Sequence, residues 1–145
     1  MRKLIPLLLL AACSAASSVD SSLDSDAKAT VFALHNVMSG PPGRHDWDRM
    51  KELFAPGATV TLNGTRYSVD DYVAQIKSNL ETNGQFEQPA CSVSGSGAEA
   101  RATCTFEKRH RANDDAPFGS GRETFVLTRG DASQPYKIAS LERSE

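Results

Sequence analysis

The chain has 145 residues, of which 39% are hydrophobic and 23% are charged, so it has room for one globular domain. Sixteen Lys and Arg residues against 18 Asp and Glu residues give a formal net charge of −2, and no basic stripe favours a nucleic-acid partner. Because no apolar run reaches about 18 residues, we expect no membrane-spanning helix in the mature protein.

The N-terminus has the pattern of an export signal. Arg2 and Lys3 give it a positive start, and the apolar stretch from Leu4 to Ala12 is too short to cross a bilayer. The segment Leu10-Ala11-Ala12-Cys13 resembles a bacterial lipobox. In lipoproteins of that family the signal is removed directly before the cysteine, which then carries a diacylglycerol and a further acyl chain such as palmitate. Several acyl chains on one residue suffice for a stable membrane anchor.

This resemblance implies that residues 1–12 are a signal peptide and that lipidated Cys13 provides the contact with the membrane. Ser14, directly after the cysteine, is similar to the outer-membrane sorting signal of lipoproteins. We therefore expect a location in the bacterial cell envelope, on the outer membrane and facing the periplasm. An ordinary secretory signal that is cut after Ala16 is the alternative, and it would remove Cys13.

A serine-rich tether is predicted for residues 13–27. Residues 14–26 include six serines and three aspartates, and they offer little that can pack in a core. The folded domain is therefore expected to span residues 28–145, where 14 Lys and Arg residues nearly balance 15 Asp and Glu residues.

Helical periodicity dominates the first half of this domain. A first helix is predicted from about Asp26 to Ser39, with Ser22 or Ser25 as its cap and a Gly-Pro-Pro-Gly sequence after its end. A short second helix is predicted from Trp47 to Phe54, and the Asp46 carboxylate is placed to accept hydrogen bonds from its first amides.

A strand and a third helix are predicted next. Residues 58–62 read as a strand, and Asn63-Gly64 forms the turn after it. The third helix begins after Ser68, whose hydroxyl is placed to cap it, and ends at Asn83-Gly84. Beyond this point helical periodicity disappears. Four strands are predicted there, near residues 85–94, 98–111, 121–129 and 136–143.

Cys91 and Cys104 lie where the first two of these strands form a hairpin. A bond between them makes them a cross-strand pair, which places Ser96 opposite Glu99 and leaves Gly97-Ala98 as a two-residue turn. Glycine at the first central position is what a type II′ turn requires. We therefore predict a disulfide, which an oxidising compartment permits, and two unbonded core cysteines are the alternative.

Three segments of the domain, taken in order, carry a family resemblance. Residues 46–60 read DWDRMKELFAPGATV, residues 121–129 read GRETFVLTR, and Tyr136-Lys137-Ile138 follows. In this order and spacing the chain resembles the nuclear transport factor 2-like (NTF2-like) superfamily, of the SnoaL-like and ketosteroid-isomerase-like kind. The resemblance implies an α+β fold in which three N-terminal helices pack on a strongly curved antiparallel sheet. Such cones enclose a pocket that is commonly apolar and open at one end.

The resemblance does not extend to the isomerase chemistry. The ketosteroid isomerases of this family place a carboxylate base on the first strand, where this chain has Leu62, and leucine cannot accept a proton. They also place a tyrosine on the first helix, where this chain offers Phe32, Leu34 and His35. We therefore favour a function other than catalysis. The three histidines show no spacing typical of a metal site, and no metal or cofactor is predicted.

Three polar residues are the predicted candidates for a catalytic site at the pocket mouth. If Phe106 pairs with Phe125, then Lys108 lies opposite Glu123, and His110 follows on the same face. His110 would be a general base, and Lys108 and Glu123 would orient a substrate. The alternative is a cross-strand ion pair beside a solvated histidine. The candidates to line the cavity are Phe32, His35, Trp47, Tyr72, Phe106 and Phe125.

The leading hypothesis is a lipid-anchored envelope protein whose domain is a non-catalytic module that binds a small apolar molecule or a protein partner. The first alternative is a SnoaL-like isomerase, cyclase or hydratase that acts in the cone cavity. The second is a structural part of an envelope complex that forms a homodimer through the open face of the sheet. A large exposed apolar patch on that face would favour the second alternative.

Overall fold

A computed structural model describes residues 21–145, so the predicted signal peptide and Cys13 lie outside the described residues. Three helices precede or interrupt the strands: α1 (Ser21–Met38), α2 (Trp47–Glu52) and α3 (Val69–Leu80). The strands are β1 (Phe54–Leu62), β2 (Thr65–Ser68), β3 (Phe86–Ser96), β4 (Glu99–Arg109), β5 (Gly119–Thr128) and β6 (Lys137–Ser144).

Helix α1 begins five residues earlier than the serine-rich composition suggests. Leu23 and Ala27 are buried in the core, because they continue toward the N-terminus the apolar stripe that includes Val31. Ser22 and Ser25, predicted as caps, are therefore inside the helix. The prediction of a tether through residue 27 was wrong for this reason, since packing of two apolar side chains outweighs the low helix propensity of the serines around them.

Side-chain caps start the other two helices, as the sequence predicts. The Asp46 carboxylate accepts a hydrogen bond from the Arg49 amide at 3.0 Å, and the Ser68 hydroxyl accepts one from the Asp71 amide at 3.2 Å. Helix α2 is shorter than predicted, because Phe54 leaves it to pair with Ile138 as the first residue of β1.

The six strands form one curved sheet in the order β2-β1-β6-β5-β4-β3. Neighbouring strands are antiparallel except β1 and β6, which are parallel. Strand β2 was not predicted, since its four residues carry no clear alternation. Asn63 and Gly64 form the tight turn before it with φ values of 48° and 84°, a backbone conformation that these two residue types tolerate best.

The β3–β4 hairpin has the predicted register. Cys91 pairs with Cys104 and the two form a disulfide, which confirms that prediction. Gly97 and Ala98 form the turn, but Gly97 does not have the positive φ of a type II′ turn, so the predicted turn type was wrong. Gly95 has a φ of 132° instead, and a Cβ there would lie 2.4 Å from the Glu99 carbonyl oxygen.

The β4–β5 register differs from the prediction by four residues. Phe106 lies opposite Gly121 rather than Phe125, and Lys108 lies opposite Gly119. The Phe106 ring leaves no room for a side chain opposite it, because a Cβ on residue 121 would lie 2.5 Å from the ring. A glycine therefore takes the position opposite Phe106. The pairing of Lys108 with Glu123 was therefore wrong, and Glu123 lies four residues deeper in the sheet, opposite Cys104.

The sheet has a dry inner face and a wet outer face. Along β4, buried and exposed residues alternate, so that Ala100 and Ala102 are buried while Thr103 and Thr105 face solvent. Helix α1 lies against the inner face at β3 and β4, and the core fills the space between them. Within residues 21–145, none of the helices is long and apolar enough to cross a membrane.

Candidate functional site

Four charged or titratable side chains meet inside the curve of the sheet. They are His35 of α1, Glu87 of β3, Glu123 of β5 and Arg143 of β6, and each is buried. For the two residues on β5 and β6, the alternation of side chains along the strand explains the inward direction. Glu123 precedes Phe125 by two residues and Arg143 follows Leu141 by two, so strand alternation places both on the dry face. We call these four side chains the interior ion network.

His35 lies between the two carboxylates of the network. Its Nε2 atom is 2.7 Å from Glu123 Oε2, a hydrogen bond between buried groups. Its Nδ1 atom is 2.8 Å from Glu87 Oε1, close enough for an ion pair, although the contact is poorly directed for a hydrogen bond. The imidazole therefore joins α1 to β3 and β5, the two strands that flank β4.

Arg143 contacts the same two carboxylates as His35. Its Nη1 atom donates to Glu123 Oε1 at 2.6 Å and to Glu87 Oε1 at 3.0 Å, and its Nη2 atom donates to Glu87 Oε2 at 2.6 Å. The guanidinium also lies over the Phe106 ring, with 4.0 Å between its carbon and the ring centroid. Each carboxylate thus contacts two cationic side chains.

These contacts fix the charge state of the network. Burial opposes protonation of His35, but the hydrogen bond with Glu123 and the close contact with the Glu87 carboxylate outweigh it and raise the pKa of His35 to about 9. Burial also opposes ionisation of Glu87, yet the contacts with His35 and Arg143 lower its pKa to about 2. Burial acts against the charge of Arg143 as well, and Glu87 still raises the pKa of the guanidinium. At neutral pH His35 and Arg143 are therefore cationic and Glu87 is anionic, and both cations also contact the Glu123 carboxylate.

A second layer of charge lies between the network and solvent. The Glu145 carboxylate accepts hydrogen bonds from Arg143 Nε at 2.9 Å and from Lys108 Nζ at 2.6 Å. Burial would raise the pKa of Glu145, but the Lys108 hydrogen bond and the charge of Arg143 lower it. We call the place where these three side chains meet the mouth of the cone.

Known structures share this architecture. A protein of unknown function with a cystatin-like fold from Nostoc punctiforme superposes with a TM-score of 0.68 at 10% identity, over 83% of this chain and 88% of that chain. An NTF2-like protein of unknown function from Shewanella oneidensis gives 0.65 at 15% identity, over 83% and 98%. A protein named as a candidate ketosteroid isomerase from Shewanella frigidimarina gives 0.63 at 18% identity, over 83% and 96%.

The chain has the NTF2-like fold. The predicted α+β class, with helices on a curved and mostly antiparallel sheet, is confirmed. No family model matches the chain, and no curated protein matches it either. At identities this low the likeness shows the fold alone, so function has to be argued from the side chains of this NTF2-like cone.

The network also contains a donor set of the type that binds metals. His35, Glu87 and Glu123 offer ligand atoms within 4.8 Å of one another. In this NTF2-like cone, however, both carboxylates are already neutralised by Arg143 and protonated His35. A divalent cation needs a neutral imidazole and free carboxylate oxygens, so the arrangement fits an ion network better than a metal centre.

The three predicted catalytic residues do not meet. Glu123 faces His35 and Arg143 inside the NTF2-like cone, whereas Lys108 pairs with Glu145 at its mouth. His110 lies beyond the end of β4, exposed, with its ring stacked on Phe118 at a centroid distance of 4.1 Å.

The predicted cavity residues divide into two groups. His35, Tyr72, Phe106 and Phe125 are buried in the interior, where the Tyr72 hydroxyl donates to Met38 Sδ at 3.7 Å. Phe32 lies on the outside of α1 with 39% of its surface exposed. Trp47 lies near the protein surface, where its Nε1 donates to Glu81 at 2.8 Å. The structure thus places Phe32 outside the interior, and Trp47 at its edge, half-buried against the core.

Sequence reasoning missed Glu87 and Arg143. The strand alternation that predicted a dry face for β4 also holds at the end of β6, where Leu141 and Arg143 are buried and Glu142 between them is exposed. A charged residue on a predicted dry face was the available signal, since a buried charge requires a partner.

Outside the interior, an open cleft of about 370 Å³ lies between α1, α2 and the β5–β6 connection. Its lining includes Ala29, Ala33, Leu53 and Tyr136, together with the charged side chains of Asp26, Arg49 and Lys137. An apolar lining with a few charged groups is typical of small-molecule sites. We call it the helix cleft.

Proposed function

We propose that this protein is an exported, lipid-anchored envelope protein whose NTF2-like domain is a non-catalytic binding module. The lipobox-like segment ending at Cys13 supports the anchor. The observation that carries the non-catalytic part is the neutral interior ion network, which occupies the place where a substrate would have to bind.

The network leaves no acid or base ready for catalysis in the interior. A general base at neutral pH needs a pKa near 7 and contact with a substrate. His35 has a pKa of about 9 and contacts both carboxylates, so it holds its proton. Glu123 and Glu87 are occupied by Arg143. The resemblance to ketosteroid isomerases adds that Leu62 takes the position of their carboxylate base.

The two alternatives have less support. An enzyme that acts through His110, Lys108 and Glu123 needs these side chains to converge, and they lie in three different environments. A dimer through the open sheet face needs an apolar patch there. Within residues 21–145 the exposed large apolar side chains are Phe32 and Phe118, and neither lies on the outer face of the sheet.

The helix cleft is the binding site that fits the proposal best. Its small alanine side chains lie beside Tyr136, and Arg49 and Lys137 supply two positive charges against the one negative charge of Asp26. A small, largely apolar molecule with one polar or acidic group matches these features.

Native mass spectrometry of the full chain, extracted from the envelope in mild detergent, tests this function. We expect a retained small molecule in the wild-type spectrum. Ala29→Trp fills the cleft and should abolish the retained mass. Ala112→Trp, in the exposed β4–β5 connection, is the matched control and should leave it unchanged.

Two results would contradict the proposal. Retention of the molecule in the Ala29→Trp variant would show that the cleft does not bind it. Conversion of the identified molecule by the wild-type protein, with turnover lowered by His110→Ala, would favour the enzyme alternative instead.

A further inference from the structure

The side-chain carboxylate of Glu145 accepts hydrogen bonds from two cationic side chains, as a bound carboxylate ligand would. Its Oε1 atom accepts hydrogen bonds from Arg143 Nε at 2.9 Å and Arg143 Nη2 at 2.7 Å, and its Oε2 atom accepts one from Lys108 Nζ at 2.6 Å. Three N–H donors from two cations thus converge on one planar carboxylate, an arrangement typical of carboxylate recognition.

The donors lie deeper than the group they hold. The Arg143 side chain is 2% exposed and the Lys108 side chain 15% exposed, whereas the Glu145 side chain is 31% exposed. The carboxylate therefore occupies the solvent side of a cationic site. An external carboxylate that approaches the mouth from solvent meets Glu145 first and the two cations behind it.

The positive charges of Lys108 and Arg143 favour an anion at the place that the Glu145 carboxylate occupies. The four groups of the interior ion network balance one another, so Lys108 and Glu145 balance as a separate pair. Without the Glu145 side chain, Lys108 loses this ion pair, and two cationic donor side chains remain directed at the vacated place. A partly buried cation of this kind favours a replacement anion.

Local contacts determine how firmly Glu145 stays in place. It follows the last residue of β6, and its amide donates to Asn63 Oδ1 at 2.9 Å. The Asn63 amide in turn donates to the Arg143 carbonyl oxygen at 2.9 Å. The β1–β2 turn therefore positions Glu145 over the two cations.

We propose that Arg143 and Lys108 form a carboxylate-binding site at the mouth of the cone, which Glu145 of the same chain occupies as an internal ligand. A small external carboxylate binds by displacing the Glu145 side chain. The side chain beyond its Cα has the size of propionate, which sets the size of ligand that the vacated place admits. The site is separate from the helix cleft and does not depend on membrane anchoring.

Propionate binding to the full chain in detergent, in carboxylate-free buffer, tests the proposal. Thermal unfolding is followed against propionate concentration. Glu145→Ala should show a saturable rise in unfolding temperature, and propionamide, which lacks the charge, should give none. The wild-type protein should require at least about tenfold more propionate, since its own carboxylate competes for charge-assisted hydrogen bonds.

Three further variants identify the site. Lys108→Met combined with Glu145→Ala should weaken propionate binding at least about tenfold. Glu142→Ala makes the same charge change on the exposed side of β6 and should behave like the wild type. Asn63→Gly keeps the positive φ of that turn but removes the contact with the Glu145 amide, so it should increase the propionate affinity of a chain that retains Glu145.

The result that would overturn the proposal is the absence of saturable stabilisation in Glu145→Ala, an unchanged propionate affinity when Lys108→Met is added, or equal stabilisation by propionamide. If Glu145→Ala does not fold, Glu145→Gln keeps the side-chain shape with a neutral, weaker occupant. It should then bind propionate more tightly than the wild type, and equal affinity would also overturn the proposal.

Discussion

At the scale of single residues, His35 shows how context decides the role of a titratable side chain. It sits on an apolar stripe of α1, and its neighbours along the chain give no hint of charge. Its partner Glu123 is 88 residues away in sequence, and Glu87 belongs to the edge strand of the sheet. Both carboxylates favour the imidazolium, so burial does not produce a neutral histidine here.

Stability should therefore depend on pH at both ends of the accessible range. Since the pKa of His35 rises from 6.5 to about 9, its contribution is complete below pH 6.5 and is lost as the pH rises through about 9. Since the pKa of Glu87 falls from 4.5 to about 2, its contribution is complete above pH 4.5 and is lost as the pH falls through about 2. Urea titrations should therefore give the highest unfolding free energy between pH 4.5 and pH 6.5, where both contributions are complete.

Two histidine variants distinguish this network from other titrations. His35→Gln should remove most of the alkaline decrease in unfolding free energy, because it removes the group that loses its proton there. His110→Gln changes an exposed histidine and should leave the alkaline decrease intact. An alkaline decrease that survives in His35→Gln would contradict the assignment.

At the scale of secondary-structure elements, close approach between strands determines the register. Gly121 lies opposite Phe106, and a Cβ there would also come within 2.3 Å of the Ser144 carbonyl oxygen. The glycine therefore lets β4, β5 and β6 converge where the network is built. With Phe125 opposite Phe106 instead, Glu123 would lie at the mouth rather than beside His35.

Gly121→Ala should destabilise the domain by about 1–3 kcal/mol, because the added methyl group meets backbone and a buried ring that cannot move away. Gly97→Ala is the matched control, since a Cβ there has open space and φ is not positive. It should be neutral or stabilising by up to about 1 kcal/mol. Equal effects of the two changes on the unfolding free energy in urea would contradict the steric account of the register.

At the scale of the whole molecule, the proposed function combines a domain and an anchor that are independent in physical terms. The domain buries its own core and balances its own interior charges within residues 21–145. Membrane contact is proposed to come from acyl chains on Cys13, each methylene of which contributes about 0.8 kcal/mol on burial. Folding of the domain therefore does not require the membrane.

Cys13→Ser should shift the protein from the membrane fraction to the soluble fraction of cells, and intact-mass measurement should show that acyl mass is lost. The combined change of Cys91→Ala and Cys104→Ala is the matched control, because it removes the other two cysteines and keeps the anchor. That variant should remain in the membrane fraction. Membrane retention of Cys13→Ser without acyl mass would contradict the lipid anchor.

Local sequence by itself determined the helix caps at Asp46 and Ser68, the Asn63-Gly64 turn and the Cys91–Cys104 pairing, since each depends on residues close in the chain or on simple alternation. Only the tertiary structure decided the start of α1, strand β2, the β4–β5 register and the interior ion network. These depend on the packing of distant segments. A charged residue on a strand signals that it needs a partner, but the position of that partner is fixed only when the sheet closes around it.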